Sequence, residues 1–249
     1  MVLHTIERGS GFPLLLLHGF PFDASIWKAT ITKLVDAYRV IAPDLRGHGK
    51  TPALQADFSI EDMAKDVIEL VDSLKIHQTV IAGHSMGGYV ALEVARMKPE
   101  YLSGLVLIAS HIYPDSIEKK NARLEQIKQI GSLGTAVVFE KMPDLLTGYP
   151  EIKEVCHRAV GSIDAVGASG ALHAMANRAS SEDLWKSIKI PTLVIAGTDD
   201  RVFPICESRK FAALAHQNTF VEIKQAGHMP MLEVPLKVAQ SLKNFTNNL

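Results

Sequence analysis

Short apolar runs alternate with segments of helical periodicity along most of the chain. Seven of these runs have the length of a buried strand: Val2 to Ile6, Leu14 to Leu17, Arg39 to Ala42, Thr79 to Ala82, Leu105 to Ile108, Thr192 to Ala196 and Thr219 to Ile223. Several are apolar throughout, as strands covered on both faces are. Strands that alternate with helices are typical of crossover units in a parallel sheet. The pattern therefore predicts an α/β fold with a mostly parallel central sheet.

The clearest helical periodicity lies between Lys50 and Gln78. Apolar residues recur there at steps of three and four, which buries one face of a helix: Ile60, Met63, Ala64, Val67, Val71 and Leu74. Ser59, followed three residues later by Asp62, is a helix start signal. Further helices are predicted from Gly87 to Met97 and from about Leu236 to Phe245.

The alternation stops between about His111 and Ile190. Helical stretches at 117–130 and 152–160 are separated there by Gly and Pro, and strand signals return only at Pro191. A segment of this kind is an insertion into one domain rather than a second sequential domain. We therefore predict an α/β core of residues 1–110 and 190–249 with an inserted helical cap of residues 111–189.

Charge and cysteine content narrow the classes of partner. The 26 Lys and Arg residues against 27 Asp and Glu leave a formal net charge of -1, so no global field attracts nucleic acid or an acidic membrane. The two cysteines, Cys156 and Cys206, are too few for a disulfide framework. With no secretory signal pattern at the N-terminus, a reduced cytoplasmic protein that recognises a small molecule locally is predicted.

The most informative segment is a strand that runs through Gly83-His84-Ser85-Met86-Gly87 into a helix. In this context the serine lies on a strained strand-to-helix turn, and the flanking glycines avoid a clash with neighbouring backbone. Ser85 is therefore the candidate nucleophile. Its weakly nucleophilic hydroxyl needs a base, a group that orients the base, and donors for the developing oxyanion.

The chain supplies a candidate for each of these groups. His228, in the loop after the last predicted strand, is the candidate base, whereas His84 is assigned a structural role because the sharp turn directs it toward the protein body. Two adjacent aspartates, Asp199 and Asp200, follow the strand at 192–196, and one of them is the expected orienting carboxylate.

Two backbone N–H groups are expected to form the oxyanion hole. One belongs to Met86, the residue after the nucleophile, and the other to Phe20, in the loop after the early buried strand. The ten histidines show no His-Glu-x-x-His pair or other helical ligand spacing, so neither a metal nor a cofactor is expected.

Two sets of side chains in the predicted cap bear on the substrate. Apolar residues that could collectively roof a pocket over the serine are Met142, Leu145, Leu146, Leu172 and Met175. Three arginines, Arg123, Arg158 and Arg178, could pair with a substrate carboxylate, although arginines at such positions are more often exposed.

Five segments in order resemble the α/β-hydrolase superfamily over nearly the whole chain: His18 to Pro21, Val40 to Gly49, Gly83 to Gly88, Gly197 to Pro204, and Gly227-His228. Within it the chain is similar to the small esterase, 3-oxoadipate enol-lactonase and cofactor-free haloperoxidase group. The family's spacing implies that Asp200 is the acid of a Ser85-Asp200-His228 triad.

The resemblance implies a serine hydrolase that cleaves carboxylic esters or lactones of small acyl groups through an acyl-enzyme. Two alternatives stay open: a perhydrolase or carbon–carbon bond hydrolase, and a signalling receptor that keeps the triad but turns over slowly.

Overall fold

Seven strands form one sheet in the computed structural model, which describes all 249 residues. Their bounds are β1 Thr5–Arg8, β2 Phe12–Leu17, β3 Tyr38–Pro43, β4 Thr79–His84, β5 Leu102–Ile108, β6 Thr192–Gly197 and β7 Asn218–Ile223. The order across the sheet is β1-β3-β2-β4-β5-β6-β7. Only β1 runs antiparallel to its neighbour. The predicted α/β fold is therefore confirmed.

Twelve α-helices surround the sheet. They are α1 Lys28–Ile31, α2 Ile60–Ser73, α3 Met86–Met97, α4 Ile117–Leu133, α5 Thr135–Val138, α6 Met142–Leu146, α7 Pro150–Ser162, α8 Ala165–Asn177, α9 Glu182–Ser187, α10 Ile205–Ala212, α11 Pro230–Glu233 and α12 Pro235–Thr246. Two short 3-10 helices span Ala24–Trp27 and Pro99–Tyr101. None of the helices is both long enough and apolar enough to span a bilayer.

The central strands are buried on both faces because alternate side chains point to opposite sides of a sheet. In β2, Leu15 and Leu17 belong to the core shared with α2 and α3. Leu14 and Leu16 belong to the core shared with α1 and α12. The two layers leave the carboxyl ends of β4, β5 and β6 side by side at one edge of the sheet.

All seven predicted strands are present, and the largest shifts of a strand start, three residues each, are at β1 and β5. Strand β1 begins three residues later than the apolar pattern suggests, because Val2 is exposed and the pairing with β3 starts at Thr5. Strand β5 begins three residues earlier, because pairing with β4 extends to Leu102. Helix α2 begins as predicted, since Ser59 and Asp62 form a reciprocal capping box.

Every regular element between β5 and β6 is a helix, from α4 to α9. Helix α8 was not predicted, because glycines lower the helix propensity of its sequence. Gly167 has a packing reason: a Cβ there would stand 2.0 Å from the carbonyl oxygen of Gly47, so α8 packs directly on the loop after β3. The division of the chain into a core and a cap stays a prediction.

Candidate active site

Ser85 lies between the end of β4 and the start of α3, at φ 49° and ψ -114°. This left-handed region costs a non-glycine residue on the order of 1–3 kcal/mol and persists only where the surroundings impose it. The Ser85 N–H donates to the Ile108 carbonyl (3.0 Å), and the Ser85 carbonyl accepts from the Ser110 hydroxyl (2.7 Å). These contacts hold the half-buried Ser85 at the carboxyl edge of the sheet, where its hydroxyl makes no hydrogen bond to the protein.

The turn is closed by the approach of α3 to the end of β2. A Cβ at Gly87 would stand 2.4 Å from the Leu17 carbonyl oxygen and 2.6 Å from that of His18. Both atoms belong to backbone and cannot rotate away. The glycine after Ser85 is therefore a steric requirement of this turn, as the sequence predicted.

We expect Gly87→Ala to lower the free energy of unfolding by at least about 1–3 kcal/mol, the usual cost of overpacking. A matched control is Gly131→Ala in α4, where a Cβ meets nothing within 4 Å. That change should stabilise by about 0.5–1 kcal/mol, because alanine favours a helix interior. Urea unfolding of both variants measures the difference. Equal stabilities would contradict the steric account of the turn.

His228 and Asp200 are in direct contact, as the triad prediction requires. His228 Nδ1 donates to Asp200 Oδ2 at 2.8 Å. The other carboxylate oxygen accepts the N–H groups of Val202 (2.8 Å) and Phe203 (3.0 Å). Burial alone would raise the pKa of the Asp200 carboxyl, but His228 and the two N–H donors outweigh it and lower that pKa. The carboxylate therefore stays charged and leaves Nε2 of a neutral imidazole as the free acceptor.

The loop that carries His228 is held from three sides. The His228 N–H donates to the Leu146 carbonyl (2.9 Å) at the end of α6, and its carbonyl accepts from His84 Nε2 (2.8 Å). Glu233 of α11 accepts from the Gly227 N–H (2.6 Å) and from the Thr147 hydroxyl. His228 is therefore positioned by α6 and by His84, the neighbour of Ser85, as well as by Asp200.

His84 is buried, as expected for a structural residue. Burial lowers its pKa to about 3, so the ring is neutral and its Nε2 carries the donated proton. The sequence indicated only that its side chain points into the protein. Its contact with His228, 144 residues further along the chain, has no local signal.

The two expected oxyanion donors lie beside the serine. Met86 is the first residue of α3, and N–H groups in the first turn of a helix have no acceptor within the helix. The Phe20 N–H has no acceptor in the protein. A Cβ on Gly19 would stand 3.0 Å from Ser85 Cβ, which brings the Phe20 loop against Ser85. The Phe20 ring packs edge-to-face on Phe139, with centroids 5.2 Å apart. Two free N–H groups therefore flank Ser85.

The apolar residues expected to roof a pocket differ in how far they are buried. Leu146, Leu172 and Met175 are buried and Met142 is half-buried, but Leu145 is 54% exposed. The apolar pocket over Ser85 stays a prediction. No three His, Cys, Asp or Glu side chains cluster as ligands of a metal would.

Two of the three arginines in the predicted cap are not exposed, although arginines at such positions usually are. The side chains of Arg178 and Arg123 are 5% and 14% exposed, and both bond to Asp115, whose side chain is completely buried. Arg158 is exposed, as expected. The burial of Arg123 and Arg178 was missed because their partner is a single aspartate outside every motif.

A comparison with known protein families matches residues 14–241 to the alpha/beta hydrolase family. The chain belongs to this family. The resemblance drawn from the five motifs is thereby confirmed, and the match includes every residue of the predicted site.

Two related proteins are named as hydrolases. This alpha/beta hydrolase is 30% identical to the (E)-2-((N-methylformamido)methylene)succinate hydrolase of Acinetobacter baylyi, over 96% of this chain and 92% of that protein. It is 29% identical to the putative carbamate hydrolase RutD of Pseudomonas syringae, over 97% of this chain and 96% of that protein. The family and these relatives indicate a hydrolase.

Solved structures show the same fold. A malate-bound thermophilic esterase from Thermogutta terrifontis superposes with a TM-score of 0.96 at 35% identity, over 99% of this chain and 93% of that one. The enol-lactonase from Burkholderia xenovorans superposes with a TM-score of 0.91 at 22% identity, over 98% and 94%. The second likeness concerns the fold alone.

Proposed function

We propose that this hydrolase cleaves carboxylic esters or lactones of small acyl groups through a covalent acyl-Ser85 intermediate. The observation that carries the proposal is the charge-assisted His228–Asp200 hydrogen bond of 2.8 Å, on a loop that His84 joins to the strained turn of Ser85. A carboxylate held on Nδ1 keeps Nε2 as a base and stabilises the imidazolium that forms when the base takes a proton.

In the proposed reaction, Ser85 Oγ forms a bond to the acyl carbon while its proton passes to His228 Nε2. The carbonyl oxygen gains negative charge and accepts hydrogen bonds from the N–H groups of Phe20 and Met86. His228 then returns the proton to the departing alkoxide oxygen, and the acyl–oxygen bond breaks. Water repeats the sequence on the acyl-enzyme and releases the acid.

The names of the relatives fit this class of reaction. The Thermogutta terrifontis structure is titled as an esterase and shares 35% of its residues with this chain. The Acinetobacter baylyi relative is named as a hydrolase of a succinate derivative. An ester is therefore our first choice of substrate, and a carbamate is the alternative that the RutD name suggests.

The helices between β5 and β6 are proposed to form a cap of residues 111–189 over this site. Phe139, between α5 and α6, packs on Phe20 next to one oxyanion donor, and the Leu146 carbonyl holds the His228 loop. A cap in this position would restrict the site to small acyl groups.

We expect p-nitrophenyl acetate and butyrate to be hydrolysed with a kcat/KM at least about tenfold above that for the palmitate ester. Methylene groups that do not fit a small pocket weaken binding of the transition state and so lower kcat/KM. Parallel assays with γ-butyrolactone, a carbamate, and hydrogen peroxide as an alternative acyl acceptor distinguish the hydrolase classes. Turnover of the carbamate alone, or faster hydrolysis of emulsified long-chain triglyceride, would contradict the proposal.

A further inference from the structure

Three cationic side chains converge on one carboxylate beside the candidate site. Arg123 Nε lies 2.6 Å, Arg178 Nη1 2.8 Å and Lys119 Nζ 4.0 Å from the Asp115 oxygens. Asp115 is the only acid in this group, so the cluster carries an excess of two positive charges. Burial lowers the pKa of nearby His111 well below its usual value, and that ring stays neutral.

The cationic cluster, defined as Lys119, Arg123, Arg178 and Asp115, is close to the triad. Phe203 donates its N–H to Asp200 and stacks its ring on His111 at a centroid distance of 4.4 Å. His111 Nε2 in turn lies 2.9 Å from the Tyr89 hydroxyl, and the Arg178 guanidinium lies 4.0 Å above the Tyr89 ring. A continuous set of contacts therefore joins the cluster to the acid of the triad.

The charges of the cationic cluster and of Asp200 both act on the Lys119 ammonium group. Burial and the charge of Arg123 lower its pKa, while the carboxylates of Asp115 and Asp200 oppose that shift. Its ammonium group is therefore within electrostatic range of Asp200, on the side of the triad that the cap helices cover.

The two arginines of the cluster differ in how many donors they have left. Arg178 bonds through both Nη groups to Asp115, to the Met175 carbonyl and to the Tyr113 carbonyl, so it ties the end of α8 to the loop after β5. Arg123 bonds only through Nε. Its two Nη groups have no partner in the protein, and they are not among the polar atoms closed off from solvent, so a ligand can reach them although the side chain is only 14% exposed.

A guanidinium anchored at Nε, with both Nη groups free, presents paired donors that match the two oxygens of a carboxylate. Asp115 is the single counter-charge for three cations, so the cluster keeps an excess of positive charge. A carboxylate at the free face of Arg123 would add a second counter-charge and accept hydrogen bonds from both Nη groups.

We propose that Arg123, assisted by Lys119, binds a free carboxylate of the substrate, so that the preferred substrate is an ester or lactone that also carries a carboxylate. This inference rests on the proposed function, since it names the substrate class of the same site. Arg123 acts in binding and makes no bond to the reacting acyl group.

The test compares two esters of nearly the same shape, monoethyl succinate and its neutral analogue ethyl levulinate, by pH-stat. The parent enzyme should favour the anionic ester in kcat/KM, and the preference should shrink as salt screens the charges. Arg123→Met should lower kcat/KM for monoethyl succinate by about 10- to 100-fold, mainly through KM, the range of one charge-assisted contact. The rate with ethyl levulinate should change by less than about threefold.

Two further variants separate binding from folding. Lys119→Gln removes a charge on a side chain that is 42% exposed and has no hydrogen-bond partner to orphan, and it should reduce the anionic preference alone. Arg158→Met removes an exposed cap arginine and serves as the control that leaves both rates unchanged. Equal losses for both esters in Arg123→Met, or no anionic preference in the parent enzyme, would overturn the inference.

Calorimetric titration of succinate into Ser85→Ala protein keeps this inference separate from the proposed function. If neither ester is turned over, the proposed function fails, and the titration alone decides the inference. Succinate affinity that falls at least about tenfold on adding Arg123→Met supports the carboxylate site. Unchanged affinity, or no binding, rejects it.

Discussion

Replacing Ser85 with alanine is expected to lower the rate of ester hydrolysis by about 10⁶-fold, the loss found when the serine of a comparable triad is removed. The reason is chemical, because alanine has no oxygen that can form the acyl-enzyme. Covalent labelling by a fluorophosphonate, detected by intact-protein mass spectrometry, should disappear with it. Ser85 is half-buried and its hydroxyl makes no hydrogen bond, so the variant should fold normally.

The matched control is Ser162→Ala, which removes an exposed serine at the end of α7. It should keep both the parent rate and the label. Fluorophosphonate labelling that persists in Ser85→Ala at the parent stoichiometry would move the nucleophile to another residue and remove the basis of the proposed function.

The second large effect is expected at Asp200, the proposed orienting carboxylate. Asp200→Asn should reduce kcat by about 10⁴-fold, because an amide at this position favours the wrong imidazole tautomer and leaves the imidazolium unpaired. The Asp200 carboxylate is buried and accepts hydrogen bonds from His228 Nδ1 and from two backbone N–H groups. Rates on a fast activated ester, with circular dichroism as the check on folding, measure the effect.

The neighbouring residue provides the control. Asp199 is exposed, and its carboxylate accepts only the hydroxyl of Thr198. Asp199→Asn should therefore stay within about tenfold of the parent rate, or about 1.4 kcal/mol of barrier. If Asp199→Asn were the severely impaired variant and Asp200→Asn the mild one, the orienting role would pass to Asp199.

Much of the fold is predictable because its signals are local. A buried strand such as Leu14 to Leu17 is predicted by its apolar run. Helix α2 is predicted by its apolar periodicity and by Ser59 at its start. The turn at Ser85 is local on one side, since a Cβ at Gly83 would stand 2.2 Å from the Gly87 carbonyl oxygen, whereas the atoms that require a glycine at position 87 belong to Leu17 and His18.

The choice between the two aspartates is a different case. Both follow β6, and neither hydrophobicity nor turn chemistry separates Asp199 from Asp200. The spacing of the resembling family favours Asp200. The contact of Asp200 with His228 agrees, and it depends on how the loops after β6 and β7 approach one another.

The amino-acid sequence by itself determined the α/β class, the positions of the strands and the candidate groups Ser85 and His228, because each has a signature within a few residues. Only the tertiary structure decided which distant groups meet. His84 contacts His228 across 144 residues, and Arg178 contacts Asp115 across 63. Such pairings depend on the packing of whole helices and loops, and that packing is why Arg123 and Arg178 are buried beside the site instead of exposed on the surface.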